Sequence, residues 1–250
     1  MTPSEIQQKI SNAPQLDFGD IFNKSVELFK KSWLYGLLLE LFILAIMMPF
    51  IIVLYGPFVV AMVAQSERGP FDSDVFGSLF AGFTVFYIVI FVFGVLAASV
   101  FQLALQAGFF RIINQIDEGR EVKASDLFYF LKGKYFGSVT LLMLATVLIA
   151  LIAALMCYVP IIYAFIPLSF FTIVFAFNSE MSIGDIVKIS FSLGTKKWLI
   201  SFGLFVVTYI LVMILTLLTC GIGALFLSPY IYLPLYFVYK QVVGFDNIIE

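Results

Sequence analysis

Residues 79–110 contain no charged side chain, and the stretches 33–64, 135–178 and 198–239 are nearly as apolar. No water-soluble fold can bury four such runs in a chain of 250 residues, so the solvent around most of this chain is lipid. The composition agrees: 62% of residues are hydrophobic, 12% are charged and mean hydropathy is +1.07. A soluble domain carries about 45–50% apolar and about 25% charged residues.

Run length sets the number of crossings. The runs 33–64 and 79–110 would each be on the order of 45 Å long as helices, against a hydrocarbon core of about 30 Å. Neither holds two crossings, so each predicts one long helix, the first bent near Pro49 or Pro57, with the pair meeting through a loop over 65–78. The runs 135–178 and 198–239 are longer and are interrupted in the middle, by Cys157 to Pro160 and by Cys220 to Gly223. Each predicts a pair of helices of about 20 residues joined by a tight turn. The expectation is an all-α integral membrane protein with six transmembrane helices in one domain spanning residues 1–250.

Basic residues orient these spans. Segments 1–32, 111–134, 179–197 and 240–250 hold 13 of the 14 Lys and Arg, and only Arg68 falls on the other side. Positive charge is retained on the cytoplasmic side, which predicts cytoplasmic N- and C-termini. The first 32 residues are polar and the first apolar run exceeds a signal-peptide core, so that run is expected to be an uncleaved anchor in a bacterial inner membrane.

A second regularity overlies the spans. Residues 17–33 and 182–198 align without a gap, with Gly19/Gly184, Asp20/Asp185, Ile21/Ile186, Ser25/Ser190 and Trp33/Trp198 coinciding. A shorter copy runs from Ser125 and Asp126 to Phe136. Each copy is amphipathic at helical spacing and leads into an apolar run. This predicts three repeats of an interfacial helix followed by a helical hairpin, covering about 17–110, 122–178 and 182–243 after a polar lead over 1–16. Asp20, Asp126 and Asp185 would cap the interfacial helices, and Trp33 and Trp198 would anchor them in the aromatic belt. The lysines of these copies could attract anionic headgroups, or could serve only as the topology signal.

The sequence excludes several chemistries. Histidine is absent, which removes His-based triads and His metal sites, and the two cysteines have no metal or redox spacing. Cys157 and Cys220 read as small apolar fillers, with an outward-facing disulfide as the alternative. A net charge of −2 with no basic stripe argues against a nucleic-acid partner. Glu67, Asp72 and Asp74 lack the spacing of a divalent-ion loop and read as a solvated loop. The 30 phenylalanines read as packing and interfacial bulk.

Glu40 is the one ionisable side chain within a span, about 10 Å past Trp33. Gln102 and Gln106 reach a similar depth from the second span, which Arg111 ends, and Gly94, Ala98, Gln102 and Gln106 recur every fourth residue. Glu40, Gln102, Gln106 and Arg111 therefore form a candidate intramembrane polar cluster. It reads either as a helix-packing device or as a proton-coupled or lipid-headgroup site.

Gly108-Phe109 near a span's end, Glu118-Gly119 in the turn after it, and Asp126-Leu127-Phe128 opening the next amphipathic stretch give a resemblance. The chain resembles a broad superfamily of bacterial six-helix membrane proteins that includes the membrane domain found beside glycerophosphodiester phosphodiesterases. The phosphodiesterase catalytic domain itself has no counterpart. The expected role is a non-catalytic scaffold or accessory subunit with no cofactor, whose partners are membrane lipids and other membrane proteins. A carrier or lipid-handling protein working around Glu40 is the alternative.

Overall fold

The computed structural model describes residues 1–68, 77, 85–156 and 159–245, and every element among them is helical. In chain order these are α1 (Pro3–Ser11), α2 (Phe18–Arg68), α3 (Val85–Asp117), a 3₁₀ stretch (Ala124–Leu131), α4 (Gly133–Leu155), α5 (Val159–Ser169), α6 (Phe171–Phe177), α7 (Ile183–Lys196), α8 (Trp198–Leu218), α9 (Gly223–Leu227), a 3₁₀ turn (Ser228–Ile231) and α10 (Tyr232–Val242). Five helical segments are long and apolar enough to cross a membrane: Phe18–Ser66, Ile88–Asp117, Gly133–Leu155, Pro160–Phe177 and Trp198–Leu218. They are compatible with a multi-pass membrane protein. Of the expected 65–78 loop, residues 65–68 continue α2; residues 69–76 with Asp72 and Asp74, the side chain of Glu67, and Cys157 lie outside what is described.

The sequence predicts a sixth span after Cys220, and here the helix is broken. Cys220 (φ 51°) and Gly221 (φ 91°) take left-handed backbone, turning the chain out of α8. The return runs as α9, a 3₁₀ turn carrying Pro229, and α10. Proline has no N–H to donate to the preceding turn, so the ladder is interrupted there. Pro167 acts similarly before the break between α5 and α6.

The first interfacial helix is a correction. No break falls at Trp33; α2 begins at Phe18 and continues for 51 residues, about 75 Å of helix, with Pro49 and Pro57 inside it. Between Lys31 and Glu40 only Gly36 disfavours helix, so nothing ends the hydrogen-bond ladder. Its apolar side also packs on protein instead of lying in lipid. Ile21, Ser25, Leu28 and Ser32 are buried, and Phe22 and Phe29 set their rings 6.2 and 5.4 Å from Tyr230. The third copy does form a separate helix, α7, parted from α8 by Lys197 alone. The middle copy is 3₁₀. Burial nonetheless matches between the outer copies: Ile186, Ser190 and Leu193 are as buried as Ile21, Ser25 and Leu28.

The chain divides into two compact bodies, Phe42–Gln102 and the remainder (Met1–Leu41 with Leu103–Glu250). Within Phe42–Gln102, a Cβ added to Gly94 would come 2.4 Å from the Phe50 ring, so glycine allows the close approach there. Ala98 is buried on the same stripe.

The larger body is built around α10, which is apolar on all sides and buried from Leu233 to Tyr239. Three close approaches knit the elements around it. A Cβ on Gly108 of α3 would lie 2.2 Å from the Leu127 carbonyl oxygen in the 3₁₀ stretch. One on Gly194 of α7 would lie 2.6 Å from Pro167 Cα in α5, and one on Gly36 of α2 would lie 2.8 Å from Pro229 Cβ. The return helix after each amphipathic copy thus packs on the opening element of the next, and the last packs on the first.

The N-terminal lead is ordered on this body. Thr2 and Glu5 form a reciprocal capping box on α1, whose Ile6 and Ile10 are buried and which packs on α7. Lys9 donates to the Val243 carbonyl and Lys197 to that of Pro14. Burial, and secondarily the charge of Lys196, hold the Lys197 ammonium below its ordinary value.

Candidate functional site

Four polar side chains of α3 and α6 point at tyrosines of α10. Tyr232, Tyr236 and Tyr239 sit at i, i+4 and i+7, a spacing that places them along one side of a helix. Gln106 Nε2 donates to Tyr232 Oη at 2.8 Å, and Asn178 Nδ2 donates to Tyr239 Oη at 2.8 Å. Asn114 Nδ2 donates to Tyr236 Oη at 3.2 Å, and that hydroxyl donates onward to Asp117 Oδ2 at 2.7 Å. Asp117 also receives Lys240 Nζ at 2.5 Å. Arg120 reaches Asn114 Oδ1 at 3.3 Å and pairs with Glu118. In a medium without water each of these groups would be costly unpaired, so the tyrosines act as internal solvent for the helices around them.

The expected intramembrane cluster is distributed differently. Gln106 is bound to Tyr232, and the Arg111 guanidinium stacks 3.8 Å above the Tyr129 ring. Glu40 is partly exposed and has neither hydrogen bond nor ion pair to a described residue. Gln102 belongs to the Phe42–Gln102 body.

The aspartates of the three copies play unequal parts. Asp185 meets the Ser182 hydroxyl at 2.6 Å, while Ser182 Oγ accepts the Asp185 N–H as the N-cap of α7. Asp126 accepts the Lys123 N–H at 3.1 Å. At α2 the capping bond belongs to Asp17, whose Oδ1 takes the Asp20 N–H at 2.6 Å. Asp20 instead receives Lys24 Nζ at 2.8 Å and Gln241 Nε2 at 3.1 Å. Trp33 is exposed with its ring 6.4 Å from Phe226. Trp198 stacks on Phe202 and donates its indole N–H to the Tyr163 carbonyl.

Two cavities accompany these groups. One of about 300 Å³ lies among α3, α5, α6, α8 and α10 and combines Gln106, Ser169, Thr172 and Tyr232 with aromatic walls. The other, about 420 Å³, lies between the first turns of α2, the end of α3 and the end of α10, and is lined by charged side chains. Among the described residues no group of three or more His, Cys, Asp or Glu could hold a metal ion.

Sequence reasoning missed Asn114, Asp117, Asn178, Lys240 and the three tyrosines. The signal was present in the i, i+4, i+7 tyrosine spacing, in a segment read only as part of the sixth span. Comparison with protein-family models, with curated proteins and with solved structures gave no match.

Proposed function

We propose that the chain is a non-catalytic multi-pass protein of a bacterial inner membrane, acting as a scaffold or accessory subunit of a membrane assembly. In this reading it has six spans in three repeats, with both termini cytoplasmic. The broken return from Gly223 to Val242 supplies the sixth span. The ring of approaches Gly108/Leu127, Gly194/Pro167 and Gly36/Pro229, and the matched burial of the outer copies, support the repeats. Membership of the six-helix superfamily rests on the sequence motifs between Gly108 and Phe128.

The observation that carries the scaffold reading is where the polar groups of the larger body are spent. Gln106, Asn114, Asp117 and Asn178 satisfy tyrosines of α10 and so hold helices together. The Phe42–Gln102 body meanwhile turns large apolar side chains outward, among them Ile52, Val60, Met62 and Phe93, each more than half exposed. Affinity purification in mild detergent tests this. A membrane protein co-purifying in stoichiometric amount is expected, and the chain recovered alone from a gentle, cross-linked extract overturns it.

One observation favours a second reading, a lipid-handling protein. Glu40 has neither hydrogen bond nor ion pair to a described residue although it stands within the apolar run of α2. Loss of cellular function in Glu40→Gln at normal membrane abundance would select it.

A further inference from the structure

The 420 Å³ cavity at the start of α2 carries an inference independent of the scaffold reading. Three ammonium groups line it: Lys24 and Lys31 from α2 and Lys240 from α10. Two are held in place by carboxylates, Lys24 by Asp20 at 2.8 Å and Lys240 by Asp117 at 2.5 Å. The Gln241 amide on the same wall is held by Asp20 as well. An ammonium has three N–H donors, so each held lysine spends one on its carboxylate and keeps others for a ligand. Lys240, whose partner Asp117 is mostly buried, has lost part of its chain entropy before the ligand arrives, whereas the half-exposed Lys24 pair holds its lysine less firmly.

Two charges in the cavity have no such partner. Glu27 and Lys31 are exposed and form neither hydrogen bond nor ion pair with a described residue, although they stand at i and i+4, the favourable order for pairing. They are one helical turn apart, about 6 Å along the axis. A phosphate and an ammonium joined by a two-carbon link can bridge that span, the phosphate meeting Lys31 and the ammonium meeting Glu27.

Leu28 and Phe237 also line the cavity but are almost wholly buried, so the groups open to a ligand are those of the charged rim. Lys31 precedes the exposed Trp33 by two residues, and an exposed tryptophan at the start of an apolar run suits headgroup level, which favours a lipid as the source. We infer that this cavity binds the headgroup of an aminophospholipid, with the phosphate on Lys31 and the amine on Glu27, in a field to which Lys24 and Lys240 also contribute. A purely anionic headgroup gains the lysines but meets Glu27 as a repulsion, so it binds more weakly.

Native mass spectrometry of the full chain in detergent, titrated with phosphatidylethanolamine, phosphatidylglycerol or phosphatidylcholine, reads this out. Phosphatidylethanolamine should be retained best. Lys31→Gln should weaken its retention about five-fold, the worth of one lysine against a phosphate. Glu27→Gln should weaken phosphatidylethanolamine and strengthen phosphatidylglycerol. Lys188→Gln, an exposed lysine away from the cavity, should change neither. Both cavity side chains are unpartnered, so an unshifted melting midpoint will show the variants are folded. Phosphatidylethanolamine retention that ignores both substitutions, or phosphatidylglycerol binding tighter than phosphatidylethanolamine in the unmodified chain, overturns the assignment. Displacement of the lipid by equimolar free phosphoethanolamine overturns the lipid source.

Discussion

Replacing Gly108 with alanine tests the ring of close approaches at its tightest point. The added Cβ would lie 2.2 Å from the Leu127 carbonyl oxygen, 2.8 Å from its carbonyl carbon and 3.0 Å from its Cα. Ordinary contact begins at 3.4 Å, so α3 and the 3₁₀ stretch would have to part by 1.2 Å at the oxygen. All three atoms are backbone, and no rotamer change can relieve them. Overpacking of this kind costs about 1–3 kcal/mol, with the upper end fitting a rigid obstacle. Alanine returns about 1 kcal/mol of helix propensity, leaving a net loss of about 1–2 kcal/mol. At Gly137 in α4 an added methyl would meet nothing within 4 Å, so Gly137→Ala keeps the propensity gain alone. The same substitution at the two sites should therefore differ by about 2–3 kcal/mol. Unfolding of the detergent-solubilised chain, followed by tryptophan fluorescence, measures both. Gly194→Ala and Gly36→Ala should fall on the destabilised side with Gly108→Ala. If Gly108→Ala is as stable as Gly137→Ala, the close approach is not part of the native packing and the ring is refuted.

Other predictions address the tyrosines, a cap and two charges. Tyr236→Phe removes a hydroxyl that bonds Asn114 and the Asp117 side chain paired with Lys240, and should cost about 1.5–3 kcal/mol, whereas Tyr232→Phe loses one bond to a neutral amide and should cost about 0.5–1; equal effects in the same unfolding assay would contradict the network. Ser182→Ala deletes the N-cap of α7 and should lower stability by about 1 kcal/mol, with Ser182→Thr, which keeps the hydroxyl that also donates to Asp185, restoring most of it. Lys134→Gln should leave the melting midpoint unchanged, because its pair with Glu180 is largely in solvent. Glu40→Gln should fold at least as well as the unmodified chain, since it removes an unpaired carboxylate from apolar surroundings; a marked loss of midpoint would mean Glu40 has a partner in the membrane.

Much of this protein is legible along the chain because lipid imposes a length rule. A run of apolar residues must cross as helix, and the four runs were enough to expect an all-helical membrane protein. The repeat overlay identified Ile21 and Ser25 with Ile186 and Ser190, and all four are buried. What periodicity could not decide was what covers an apolar side. Phe22 and Phe29 look the same in sequence whether they face lipid or Tyr230, since both surroundings are apolar. The continuation of α2 past Trp33 was likewise hidden, because an amphipathic start followed by an apolar run fits one helix as well as two.

The sequence by itself determined the helical state and the break after Cys220, because these depend on composition and on Gly and Pro within a few neighbouring residues. Only the tertiary structure decided the partners of the buried polar groups. Gln106 meets Tyr232 across 126 residues, Asn114 meets Tyr236 across 122 and Asn178 meets Tyr239 across 61. A hydrogen bond is set by a separation of about 3 Å in space, and helix spacing within one segment carries no information about which distant segment lies beside it.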